Sequence, residues 1–165
     1  MRRAVLLTGS NSAERHLRLK MAAEFVAQRV GQVQCCSGIY TSPPWGFSAA
    51  AEFCNQAIVV DTMLGPHELL EEVLDIERQV GRNRPAEQAE KELTNERYAS
   101  REIDIDIIFY QNDVISTPSL TVPHPLMAER EFVLRPLCEV MPDFRHPVLG
   151  RTMQELLEDV KTKGE

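Results

Sequence analysis

The sequence predicts an α+β fold: an antiparallel sheet with helices packed on it and a helical extension towards the C-terminus. Three observations carry this expectation. Short apolar runs of strand length alternate with stretches of helical period, in the order β-α-β-β-α-β. Glycine and proline clusters punctuate the segments where turns are needed. Beyond about residue 126 the pattern changes to helical pieces set around prolines. The 165 residues suit a single domain, 1–165, large enough to bury a core without disulfides or a structural metal.

Each element has a local reason. Residues 4–8 read as a short buried strand. Met1-Arg2-Arg3 before it is basic, like the start of a signal peptide, but the apolar run stops at Thr8-Gly9. Gly9-Ser10-Asn11-Ser12 reads as a turn with a helix N-cap. The helix then runs to about Arg29 on a stripe of Leu17, Met21 and Phe25, and Gly31 ends it. Residues 33–40 form the next strand, stopped by Ser42-Pro43-Pro44-Trp45-Gly46, since paired prolines cannot join a ladder. Residues 52–61 give another strand. Gly65-Pro66 opens a second helix with the stripe Leu69, Val73, Ile76 and Val80, closed by Gly81. Residues 82–101 are polar and charged with no lasting period, the composition of a long mobile loop. Residues 103–110 are a strand, with a short partner at 113–116, and helical pieces follow at about 126–141 and 151–161. This order matches the ferredoxin-like split βαβ arrangement, with helices on one face of the sheet.

Composition narrows the function. Hydrophobic residues make up 43% and charged residues 26%, so wholesale disorder is excluded. No apolar run approaches the ~20 residues of a membrane span. A net charge of −7 argues against general attraction to nucleic acid or anionic membranes. Cys35, Cys36, Cys54 and Cys138 lack zinc-ligand spacing and read as buried reduced thiols of a cytoplasmic protein.

The strongest chemical feature is Ile103-Asp104-Ile105-Asp106-Ile107. Strict alternation puts both aspartates on one face and the isoleucines on the other. Their Cα atoms would lie ~6.5–7 Å apart, given a rise of ~3.3 Å per residue. Carboxylates at that spacing converge on Mg²⁺, or simply form the solvated face of an edge strand. Arg82, Arg84, Arg97 and Arg101 flank the charged loop, and arginine forks match phosphate oxygens. A carboxylate pair beside them suits a metal-bound polyphosphate; a solvated loop pairing with its own glutamates is the plain alternative. Phe53 and Asn55 share a strand face and offer a ring and an amide to a planar heterocycle, or a core residue and a turn asparagine. Pro123-His124-Pro125 pins a histidine that presents its ring to a phosphate or only holds a loop. There is no P-loop and no protein-kinase signature.

Taken together these pieces resemble the 6-hydroxymethyl-7,8-dihydropterin pyrophosphokinase family of folate biosynthesis. The residues that carry the resemblance are Gly9-Ser10-Asn11, Tyr40 to Gly46, Phe53-Cys54-Asn55-Gln56, Glu77 with Gly81-Arg82, Arg101 to Ile107, Val122-Pro123-His124-Pro125 and Arg130 to Leu137. The resemblance implies pyrophosphate transfer from ATP to the pterin hydroxymethyl group with release of AMP. It implies two Mg²⁺ ions on Asp104 and Asp106, and catalytic Arg82 and Arg101. It implies that Phe53, Phe132, Asn55 and the segment Ser42, Pro43, Pro44 and Trp45 hold the pterin. Glu77, Arg84, Arg97, Ile107, Thr121, His124 and Arg130 are implied ATP contacts. The implied partners are these small molecules, with no nucleic acid or membrane, and the implied state is a monomer.

The chain departs from the family pattern at Tyr98, where tryptophan is usual, and at Ala99-Ser100, which replace a Gly-Pro-like pair. Leu74 and Pro125 replace polar or tyrosine residues of some members. A degenerate member that binds ATP and pterin with weak turnover is therefore an alternative. An RNA-binding module on the same fold and a metal-dependent phosphohydrolase are others, although an RNP1-like aromatic strand is lacking.

Overall fold

The structure, a computed structural model, describes residues 1–42, 52–81 and 102–163. Strand β1 (Arg2–Ser10) is followed by helix α1 (Arg15–Arg29), β2 (Gly31–Cys36), β3 (Tyr40–Ser42), β4 (Phe53–Thr62) and α2 (Pro66–Val80). Then come β5 (Asp104–Tyr110), a hairpin of β6 (Ile115–Ser116) and β7 (Thr121–Val122), a 3₁₀ turn at Met127–Glu129, α3 (Glu131–Val140) and α4 (Met153–Lys163). The main sheet runs β2-β4-β1-β5, with β3 extending the β2 edge along β4, and every pairing is antiparallel. This is the expected ferredoxin-like order. Among the described residues no helix is long and apolar enough to cross a membrane.

Alternation along the strands feeds two cores. Ala4, Leu6, Ile58, Val60, Ile105 and Ile107 pack against α1 and α2. Val5, Leu7, Ala57, Val59, Ile108 and Phe109 pack against α3 and α4. Helices thus cover both faces rather than one, because the C-terminal pieces carry their own apolar stripe of Val133, Leu134 and Leu137 and fold back across the sheet. A bulge adjusts β5. Val5 pairs with Phe109 and Leu6 with Ile107, so Ile108 is an extra residue and points to the same core as Phe109.

Several boundaries differ from the sequence reading. Strand β1 continues to Ser10, and α1 begins at Arg15 after Glu14, which gives no side-chain cap. The buried stripe of α1 is Leu19, Ala22 and Val26, and Leu17 is 51% exposed. The spacing of four fitted the Leu17 row, but the sheet lies against the neighbouring row. The strand expected at 33–40 is split at Ser37, whose Oγ accepts the Ala57 N–H at 2.9 Å and whose own N–H donates to the Ala57 carbonyl. Residues 115–116 pair with β7 rather than with β5. Cys35 and Cys36 are exposed on the edge strand, whereas Cys54 is buried and Cys138 partly so; all four are free thiols.

The two rows of α1 should separate in denaturation. Leu19→Ala, at a fully buried site, is expected to cost ~2–5 kcal/mol of unfolding free energy in urea titration. Leu17→Ala should stay within about 0.5 kcal/mol. Equal losses would show that Leu17 is not exposed in solution.

Candidate active site

The site is built from register. Gly9 on β1 pairs with Asn55 on β4 and with Asp104 on β5. Directly paired residues share a face, so Asn55, Gly9 and Asp104 form one row across three strands. Asp106 pairs with Leu7 and lies next along the same face. Phe53 lies two residues before Asn55 and pairs with Ser42 of β3, which places both on that face too. This is the face that α3 and α4 cover. Ile105 and Ile107, which alternate with the aspartates, point the other way, into the α1–α2 core.

Gly9 is what opens the row. A Cβ there would sit 2.8 Å from Asn55 Oδ1, so any other residue would displace the amide. Asn55 is buried, and among the described residues its Nδ2 has no hydrogen-bond partner. A buried amide donor without an acceptor is costly and uncommon, and such groups mark ligand sites. The sequence reading places Gly9 in a turn; with β1 running to Ser10 it stands inside a strand, where a glycine marks close approach of another group.

The second wall comes from the start of α3. Phe132 packs at the edge of the core under that helix, and the Arg130 guanidinium lies 5.8 Å from its ring centroid. Helix α3 is pinned to the sheet edge by Glu139. Its carboxylate accepts the Gly38 N–H and, at 2.7 Å, the Tyr40 hydroxyl. That contact fixes Phe132 on α3 relative to Ser42 at the end of β3.

His124 lies beside β5, where its N–H donates to the Ile108 carbonyl at 3.1 Å. Burial, reinforced by the Arg130 charge, holds its ring below the usual histidine value, against an opposing pull from Asp104. Its Nδ1 faces the Leu126 N–H at 3.4 Å, which leaves the proton on Nε2 for donation. Thr121 is exposed on β7, and the Val122–Pro123 peptide is cis. Ile107 is buried in the α1–α2 core, so only its main chain is open to a nucleotide.

Glu77, near the end of α2, adds a third carboxylate. Its Oε2 accepts the Ile105 N–H at 2.7 Å. Burial pushes its carboxyl up to about 7; the charges of Asp104 and Asp106 and a hydrogen bond with Asp104 add to the rise, and the Ile105 N–H opposes it. Among the described residues no three His, Cys, Asp or Glu groups form a complete metal cage. Two aspartates on one face beside a carboxyl that resists ionisation fit a hard cation whose remaining ligands are phosphate oxygens and water. Arg82, Arg84, Arg97, Arg101, Pro43, Pro44 and Trp45, and the departures Tyr98, Ala99 and Ser100, lie outside the described residues.

Between the ordinary value of 4.5 and about 7 the native state holds more protons at Glu77 than the unfolded chain does. Stability therefore falls as pH rises through that window. Glu77→Gln keeps an acceptor for Ile105 and removes the charge. Thermal melts of the metal-free protein should match wild type at pH 5 and exceed it by roughly 2–4 °C at pH 8. A gain of equal size at both pH values would contradict the raised carboxyl.

The family model described as 7,8-dihydro-6-hydroxymethylpterin-pyrophosphokinase matches residues 5–142. A Methylorubrum extorquens protein named 2-amino-4-hydroxy-6-hydroxymethyldihydropteridine pyrophosphokinase is 38% identical, over 99% of this chain and 97% of its own length. An Aquifex aeolicus protein of the same name is 35% identical, over 89% of this chain and 85% of its own. Among solved structures, Plasmodium falciparum HPPK-DHPS aligns with a TM-score of 0.74 at 16% identity, covering 98% of this chain. That likeness speaks for the fold alone, and this chain spans 45% of that longer one.

Proposed function

The chain belongs to the 7,8-dihydro-6-hydroxymethylpterin-pyrophosphokinase family, and we propose how the face described above divides the work of its reaction. The enzyme transfers pyrophosphate from ATP to the hydroxymethyl group of 6-hydroxymethyl-7,8-dihydropterin in folate biosynthesis. The substrate hydroxyl oxygen bonds to the β-phosphorus of ATP and gives up its proton to solvent, the bond from that phosphorus to the α,β-bridging oxygen breaks, and AMP leaves with the electron pair.

The observation that carries the site reading is the unpartnered Asn55 Nδ2 over the Gly9 gap. The pterin lies between Phe53 and Phe132, with the Asn55 amide donating to its polar edge and Ser42, Pro43, Pro44 and Trp45 closing the rim. The aromatic faces supply stacking, and the amide selects the ring edge. From that row the hydroxymethyl group projects along the face towards Asp104 and Asp106.

Asp104 and Asp106 hold Mg²⁺, two ions in this reading. When bound, these ions neutralise triphosphate charge and draw density from the phosphorus under attack. His124 donates from Nε2 to a phosphate oxygen, and Arg130 adds positive charge beside it. Thr121, Arg84, Arg97 and the main chain of Ile107 hold the nucleotide. Glu77 contributes its oxygen not engaged by Ile105. Arg82 and Arg101 meet the charge that shifts during transfer. Reactions of this type depend on positioning and charge neutralisation more than on covalent help. The enzyme acts on these small molecules as a monomer in the cytoplasm, as one domain over 1–165.

Incubation with Mg-ATP and the pterin should yield AMP that depends on the pterin, read by chromatography. ADP or free phosphate would overturn the reaction. Asp104→Ala and Asp106→Ala should each abolish turnover and keep a wild-type fold by circular dichroism; wild-type rates in either would remove the metal assignment. Asn55→Leu should raise the pterin Kd by about tenfold or more, since a missing buried hydrogen bond costs ~1–3 kcal/mol, with Mg-ATP affinity unchanged.

A further inference from the structure

One charged side chain outside this face ties three elements together. Arg18 on α1 is only 15% exposed. Its Nη1 donates to the carbonyl of Val80, the last residue of α2. Its Nε lies 3.1 Å from Glu102 Oε2, an ion pair without the alignment of a hydrogen bond. Glu14, one turn earlier, approaches Nη2 at 3.7 Å. From the other side Ser10 Oγ, at the end of β1, donates to the Glu102 carbonyl at 2.5 Å. Glu102 is thus held by both main chain and side chain, two residues before Asp104. The end of α2 also touches this point directly. A Cβ on Gly81 would lie 3.4 Å from Glu102 Cβ and 2.9 Å from the Glu77 carbonyl.

We propose that Arg18 is a positioning residue for Asp104: by bridging the Val80 carbonyl and the Glu102 carboxylate it fixes the end of α2 against the start of β5. This rests on Asp104 being a metal ligand. The core beneath, with Leu19, Ile76, Val80 and Ile105 all buried, holds α1, α2 and β5 together without Arg18. What Arg18 adds is the relative placement of two chain ends whose side chains, Glu77 and Asp104, share a hydrogen bond. A planar fork reaches acceptors on two elements at once, whereas the single ammonium of lysine does not. Loss of a group bonded directly to a metal ligand typically costs ~10–100-fold in metal affinity or activity, and Arg18, which acts through Glu102, is expected at the low end of that range.

The test uses the full chain and four variants: Arg18→Met, Arg18→Lys, Glu102→Gln and Asp104→Ala. Calorimetry measures Mg²⁺-dependent binding of α,β-methylene ATP and, separately, of the pterin; kcat is measured alongside. Arg18→Met is expected to weaken the Mg²⁺-dependent nucleotide binding and lower kcat by about tenfold, with pterin Kd within twofold. Arg18→Lys should recover only part of the loss, and Glu102→Gln should reproduce it in an otherwise wild-type thermal melt. Wild-type nucleotide binding and kcat in both Arg18→Met and Glu102→Gln overturn the inference, as does equal loss of pterin and nucleotide binding. Wild-type Mg²⁺-dependent binding in Asp104→Ala would overturn the metal reading and this inference with it. Failure confined to Arg18 and Glu102 leaves the metal reading standing.

Discussion

The site depends on the row Asn55–Gly9–Asp104. Antiparallel pairing with side-chain period 2 means that a one-residue slip of β4 would turn Asn55, and one of β5 both aspartates, into the opposite core. Register is held because the other set, Leu6, Ile58, Ile105 and Ile107, is fully committed to α1 and α2. The isoleucines are therefore as important to the site as the aspartates between them. The bulge at Ile108 comes just after Asp106. Before it the strand presents carboxylates on the α3–α4 face; after it the strand gives that face Ile108 and Phe109, which close the core. One extra residue separates a polar end from an apolar end on a single face.

Much of this was legible in the sequence, because the informative segments obey one period at a time. The alternation in Ile103 to Ile107 fixed which residues share a face without tertiary information. The four apolar residues of α2 recur as its buried row, since that helix has a single strong stripe bounded by Gly65-Pro66 and Gly81. Helix α1 was harder. Leu17, Met21 and Phe25 form one row and Leu19, Ala22 and Val26 another, and small Ala22 carries little signal although it is fully buried. Which row faces the sheet is decided by the crossing from β1, and local composition does not contain that choice.

The second helical layer was illegible for a related reason. A β-α-β-β-α-β chain has one face of its sheet covered by its own crossovers. Whether the other face is solvated or covered depends on where later helices return. The covered state has a trace in Val5, Leu7, Val59 and Phe109, apolar residues on the face away from α1 and α2. The exposed thiols were misread because cysteine is usually buried, and the edge position of β2 follows only from the strand order. The Gly9 opening was likewise hidden, since a glycine reads first as a turn. Its meaning as a gap needs Asn55 on the neighbouring strand.

The electrostatics of the face divide its two ligands by mechanism. Asn55, Phe53 and Phe132 carry no charge, so a pterin held there as proposed would bind by stacking and hydrogen bonding and be nearly indifferent to salt. The other end gathers Asp104, Asp106 and Glu77; burial is the main reason Glu77 resists ionisation, and the two aspartate charges add to it. Under the proposed assignment a triphosphate meets carboxylate repulsion at that end. Cations must come first or come with it; Arg130 supplies positive charge only from the side, and His124 offers a neutral N–H donor. Under the proposed assignment nucleotide binding is thereby linked to divalent cation, while pterin binding is not. This linkage follows from the carboxylate pair itself, and it lets a chain of net charge −7 bind a polyanion through local neutralisation rather than through its overall field.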